Sequence, residues 1–136
     1  MPIVAEIMTS DVVYISESAN LREARSALKK LNVRHLPVVG EGGVLVGLLT
    51  QRVVLAEVIK LVDQVGVSGL EDEEKRHSVR EIMQTNFQVA DPSMDLKVAG
   101  QYFLDNKHSC LPVIERGQLV GILTSQDFVK LCVGLL

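Results

Sequence analysis

Apolar residues recur at helical spacing twice along the chain, as Leu21, Ala24, Leu28 and Leu31 and again as Leu96, Ala99 and Phe103. Asn20 and Asp95 stand just ahead of these runs, where an N-cap belongs, so an amphipathic helix is predicted at both places. Short β-rich runs come before each helix, Val12 to Ile15 and Phe87 to Ala90. Two more follow each: Leu36 to Val39 and Val44 to Leu49 around a Gly-rich turn, then Leu111 to Ile114 and Leu119 to Leu123 around Arg116-Gly117. Apolar runs joined by such turns read as β-hairpins. Thr50 and Thr124 then end a strand and open a second helix, each hydroxyl placed to accept from a free N–H in the first turn. The pattern is β-α-β-β-α, twice.

The two copies also align by residue identity. At an offset of 75, Val4-Ala5-Glu6-Ile7-Met8 lies over Val79-Arg80-Glu81-Ile82-Met83, and Leu36-Pro37-Val38 over Leu111-Pro112-Val113. One residue fewer near Gly42 shifts the offset to 74 and lays Val46-Gly47-Leu48-Leu49-Thr50 over Val120-Gly121-Ile122-Leu123-Thr124. Two repeats, 1–62 and 78–136, therefore fill the chain apart from residues 63–77. That stretch holds Gly66, Ser68, Gly69 and the run Glu71-Asp72-Glu73-Glu74-Lys75-Arg76, and reads as an acidic, solvated connector, with a partner-binding role as the alternative. Ser78 with Glu81 gives a capping-box signal for a short helix through Ile82 and Met83. The helix from about Gln51 to Val62 is apolar on most sides, more than one small sheet can cover.

Composition narrows the function. Of 136 residues 47% are apolar and 23% charged, the balance of a soluble globular protein. Net charge is −3, and residues 61–78 carry the excess acid, so no basic face suits a nucleic acid. No apolar run approaches a membrane span and no leader pattern opens the chain, which points to a cytoplasmic protein. Cys110 and Cys132 are far apart and without His companions at ligand spacing; they read as reduced thiols, with no metal site.

Three ordered motifs, Val-x-Glu-Ile-Met, Leu-Pro-Val and Val-Gly-hydrophobic-Leu-Thr, occur in both repeats. Their combination resembles the cystathionine β-synthase (CBS) domain, and the tandem resembles a CBS pair, or Bateman module. The resemblance implies an α+β fold of two CBS repeats packed sheet to sheet about a pseudo-twofold axis. It also implies clefts for an adenosine-containing regulatory ligand (AMP, ADP, ATP or S-adenosylmethionine), a sensor role toward a regulated protein in trans, and association into homodimers. The excess apolar surface on Val53 to Val62 and on Phe128, Leu131, Val133, Leu135 and Leu136 fits the last expectation.

Thr124-Ser125-Gln126-Asp127 matches the family's Thr-x-x-Asp. A carboxylate in a first helical turn can accept from both hydroxyls of a ribose, while Thr124 and free N–H groups face a phosphate. The same two residues also suffice as an N-cap and a dipole-favoured N3 acid with no ligand. Repeat 1 departs from the motif, because Thr50-Gln51-Arg52-Val53 has Val in place of the acid. Two unequal sites are expected, the weaker one using Thr50, Arg52 and Ser109. By resemblance, Arg34 and His35 ahead of Leu36-Pro37 meet the phosphate of the repeat 2 site, although as surface residues they need no ligand. The base slot is lined, again by resemblance, by Thr85 to Ala90, including Val89, and by Leu111-Pro112-Val113. Phe87 either stacks on adenine or belongs to the core.

No nucleophile signature accompanies the Ser, His and Asp residues; His77 lies in the connector and His108 in a loop beside Lys107. A non-catalytic ligand-sensing module is the first reading. A ligand-free oligomerisation or scaffold module is the second, and a small hydrolase a distant third.

Overall fold

The computed structural model describes residues 1–107 and 109–136; His108 is outside the described residues. The chain forms two compact units: one continuous, residues 13–87, the other discontinuous, residues 1–12 together with 88–136.

In the continuous unit, β1 (Ile15–Ser16) runs parallel to β2 (His35–Val39), which pairs antiparallel with β3 (Leu45–Thr50). Helix α1 (Leu21–Leu31) starts where the sequence places its cap. Asn20 Oδ1 accepts from the Glu23 N–H at 2.9 Å, and the Glu23 carboxylate accepts from the Asn20 N–H at 3.2 Å, a reciprocal capping box. Leu21, Ala24 and Leu28 turn inward against Leu36, Val38, Leu49, Val54, Leu61 and Val79.

The structure carries helical backbone past the expected end at Val62, while residues 63–68 stay exposed. Helix α2 runs from Gln51 to Glu74, interrupted at Gly66, whose φ of 75° and ψ of 171° lie in a region closed to other residues. The first helical stretch stops at Gly66 and a second, 67–74, follows it, held to the core by two of its residues. Leu70 packs on it, and Glu74, 0% exposed, accepts from Arg25 Nε at 2.5 Å and Nη2 at 2.8 Å. Arg22 adds a cation 3.9 Å from the same carboxylate.

After α2, His77 lies between two carboxylates, with Nδ1 2.9 Å from Glu81 and Nε2 3.2 Å from Glu73, which also pairs with Arg76 at 3.1 Å. Glu81 is thereby turned away from the expected capping box. Ser78 instead accepts from the Arg80 N–H, and only a 3₁₀ turn forms, Val79–Glu81. The hydrogen bonds to Glu81 and then Glu73 raise the His77 pKa above its ordinary value. A folded-state pKa above the unfolded one gives stability that is complete below the unfolded value, about 6.5, and is lost as pH rises through the folded value. The urea midpoint should therefore fall between pH 6 and pH 8.5, and His77→Asn should flatten that part of the profile; an unchanged slope in the variant would assign the dependence elsewhere.

In the discontinuous unit, β4 (Cys110–Glu115) and β5 (Gln118–Thr124) form an antiparallel hairpin. Its turn residues Arg116 and Gly117 both have positive φ, 55° and 80°, as a two-residue loop between right-twisted strands requires. Helix α3 (Leu96–Asp105) begins with Asp95 accepting from the Lys97 N–H at 2.8 Å, and α4 (Ser125–Leu135) follows β5 directly. Ala90, Leu96, Ala99, Leu111, Val113 and Leu123 form the core, with Phe103 and Phe128 against it. The expected strand from Phe87 to Ala90 reduces to a single parallel bridge, Ala90 with Val113. The chain turns at once through Asp91, whose carboxylate accepts from the Ser93 N–H, which ends the pairing after Ala90.

The linear repeats and the compact units do not coincide. The opening segment of repeat 1 puts its Val4 into the core formed by 88–136, and the opening segment of repeat 2 puts Val79 into the core of 13–87. The glycine of each Val-Gly-hydrophobic-Leu-Thr motif makes room for this. A Cβ on Gly121 would overlap the Met8 side chain, and one on Gly47 would overlap Met83. Beside each glycine the incoming segment exchanges two backbone hydrogen bonds with the strand, Thr9 with Ile122 and Gln84 with Leu48, each at 2.9 Å.

Candidate functional site

The turn from β5 into α4 brings together the two residues on which the ligand expectation rests most. Thr124 is half-buried and Asp127 is 7% exposed. The Asp127 side chain reaches back so that Oδ2 accepts from the Thr124 N–H at 2.8 Å. Its Oδ1 accepts from the Thr9 hydroxyl at 3.0 Å, a partner 118 positions away that the motifs do not point to. The only sequence signal for it is a difference between the repeats: Thr follows Ile-Met in the first, Gln84 in the second. Asp127 is thus a nearly buried carboxylate held from both oxygens, at a helix start where free N–H groups favour negative charge.

Around this turn, Cys110 pairs in register with Thr124 and Leu111 with Leu123. The Leu111 side chain is spent in the core, and Pro112 is buried, its carbonyl accepting from the Ala90 N–H at 2.9 Å. Val89 is half-buried, and the Ser109 hydroxyl lies 2.9 Å from that of Tyr102. Burial pushes the Cys110 thiol up to about 12, so it stays protonated and behaves as a small apolar side chain.

The continuous unit holds the other candidates. His35, half-buried, opens β2 in register with Thr50, and Arg34 just before it is exposed, its carbonyl accepting from the Gln51 N–H at 2.9 Å. Thr50 caps α2 by accepting from the Val53 N–H at 3.2 Å, as its spacing predicts. Val53 is half-buried where Asp127 stands in the other unit, and Arg52 is exposed. Thr85 is exposed and outside any strand, and Phe87 is half-buried. Among the described residues, no cluster of His, Cys, Asp and Glu could hold a metal ion, and no helix is long and apolar enough to cross a membrane.

The repeated strand-helix turns, each beside a glycine that admits a foreign segment, match a known pattern. Residues 4–60 and 79–134 both fit the CBS domain family model. The chain belongs to the CBS-domain family. It is an α+β protein of two CBS repeats, a CBS pair, as the residues and motifs led one to expect. The uncharacterized protein MJ1225 of Methanocaldococcus jannaschii is 33% identical over 128 residues, a match covering 94% of this CBS pair but 42% of the relative. The chain therefore spans less than half the length of that relative. Among solved structures, CBSX2 of Arabidopsis thaliana in complex with AMP is similar at a TM-score of 0.81 and 26% identity, covering 99% of this chain and 98% of that one. The CBS domain pair of protein MJ0100, in complex with 5′-methylthioadenosine and S-adenosyl-L-methionine, is similar at a TM-score of 0.77 and 25% identity, covering 100% and 99%.

Proposed function

We propose that this CBS pair is a non-catalytic regulatory module that binds an adenosine-containing ligand, with repeat 2 providing the stronger site. The observation that carries the reading is Asp127, a nearly buried carboxylate fixed at the first turn of α4 beside Thr124. A ribose offers such a group two vicinal hydroxyl donors, and the N–H groups that open α4 suit a phosphate. Crystallised relatives with AMP, and with 5′-methylthioadenosine and S-adenosylmethionine, support an adenosyl ligand. In the same reading Val89, Leu111 and Pro112, of the same compact unit as Asp127, frame the base.

The corresponding turn of repeat 1 has Thr50 and Arg52 but Val53 in place of the acid. A ribose there gives up water without a replacement acceptor, at a loss of about 1–3 kcal/mol per unsatisfied group, so that site is the weaker. Ligand acts by shifting the population of the module's conformations, and a cytoplasmic protein partner reads the shift.

The experiment is thermal melting of the purified chain with AMP, ADP, ATP, S-adenosylmethionine and GTP in turn, for wild type and Asp127→Ala. A ligand at a hundred times its dissociation constant adds about 2.7 kcal/mol, which should raise Tm by several degrees. The rise should occur with an adenosyl ligand and vanish in Asp127→Ala. A variant stabilised as much as wild type would sink the assignment.

A second reading, a scaffold or homodimerisation module, is favoured by one observation. Ile59 on α2 is 70% exposed with Leu55 beside it, and Val133 on α4 is 66% exposed with Val129 one turn before. Silence with every ligand, together with a dimer by sedimentation, would select it.

A further inference from the structure

The Thr9–Asp127 hydrogen bond is not something the fold requires. In the continuous unit the incoming segment makes the same two backbone hydrogen bonds to its strand, and the following helix starts at the same point, with Gln84 and Val53 in the places of Thr9 and Asp127. Both members of the side-chain pair are replaced together, and the backbone arrangement is kept. The pair therefore does work that one unit needs and the other does not.

A carboxylate offers about four lone-pair directions. Thr9 donates to Oδ1, and Oδ2 accepts from the Thr124 N–H at 2.8 Å and, at 3.5 Å, from the Thr124 hydroxyl, so both oxygens are anchored and the plane of the group is set. The 3.5 Å hydroxyl contact is the weakest of the three and its donor can rotate away, so a ligand donor can take that direction on Oδ2 as well as the second direction on Oδ1. The two directions suit two neighbouring hydroxyls of one sugar, as a bidentate acceptor suits a paired donor.

We propose that Thr9 is a positioning residue that sets the Asp127 carboxylate to accept from both the 2′- and 3′-hydroxyls of a ribose, so that Thr9 determines selectivity for ribosides over 2′-deoxyribosides. The inference rests on the adenosyl-ligand reading of Asp127. It makes repeat 2's sugar site dependent on a residue of repeat 1.

The test is calorimetric titration of the full chain with AMP and with 2′-deoxy-AMP, comparing wild type, Thr9→Val, Thr9→Ser and Asp127→Ala. Wild type should prefer AMP. Thr9→Val should weaken AMP about tenfold, the scale of one hydrogen bond to a charged group, and bring the two nucleotides close to equal affinity. Thr9→Ser keeps the donor and should retain both affinity and preference, which separates positioning from a packing role of the Thr methyl. If Thr9→Val keeps the wild-type preference while Asp127→Ala abolishes AMP binding, the positioning role is overturned and the ribose reading stands. If wild type itself binds neither nucleotide, both are overturned together.

Discussion

Val4→Asp is expected to unfold residues 88–136 and leave residues 13–87 folded, while Val79→Asp should do the reverse. Each valine is fully buried in a core built almost wholly from the other repeat. A carboxylate placed there has no partner, and burying it or dragging the segment out costs several kcal/mol, a large share of the roughly 5–15 kcal/mol that holds a domain together. Losing the segment also strips the apolar cover of Ile7 and Met8 from one core and of Ile82 and Met83 from the other. Hydrogen exchange read by mass spectrometry resolves the two regions in one sample. In Val4→Asp, protection should collapse in β4, β5 and α3 and persist in α1, β2 and β3. Collapse confined to α1 and its neighbours would mean that each opening segment serves its own repeat.

The Arg25→Ala variant should lose about 3 kcal/mol of stability, or roughly 10 °C in Tm. Glu74 is the reason: it is completely buried, and Arg25 supplies both of its short hydrogen bonds. Removing the cation leaves a carboxylate out of water with only Arg22, 3.9 Å away, to answer it. The low end of the usual range for a broken buried pair applies, because Arg22 remains and Arg25 is itself about one-third exposed. The double variant Arg25→Leu/Glu74→Leu should recover most of the loss, since apolar residues of similar volume need no compensating charge. If the double variant is as unstable as the single one, the contribution of Arg25 is packing rather than charge. Urea unfolding of wild type, Arg25→Leu, Glu74→Leu and the double variant closes the cycle.

What the sequence reveals and what it hides divide along the range of the forces involved. Asn20, Thr50 and Asp95 satisfy N–H groups two or three residues away, so helix starts are readable from local spacing. The hairpins are readable for the same reason, with Arg116-Gly117 supplying the two positive φ angles. In residues 63–74, Gly66, Ser68, Gly69 and a charge run are local marks of a solvated chain, and they hide the helical backbone and the packing of Leu70 and Glu74. The groups that hold this segment, Arg22 and Arg25, lie about fifty positions earlier. Repetition tells that the two copies share one plan, but opening segments with the same apolar residues carry no mark of which core each enters. The same limit applies to the site. Thr124 and Asp127 are three residues apart and are found together; Thr9, which completes their hydrogen bonding, is separated by nearly the whole chain.

The exchange of opening segments also orders events during synthesis. Residues 13–87 are contiguous and can close their core as soon as they have left the ribosome, with nothing later in the chain required. Residues 1–12 emerge before them yet must wait for β5, which ends at Thr124. At about 5–20 residues per second the wait is on the order of ten seconds. For that interval Val4, Ile7 and Met8 are an apolar segment with no partner, and a segment made before residues 13–87 finds its place after them.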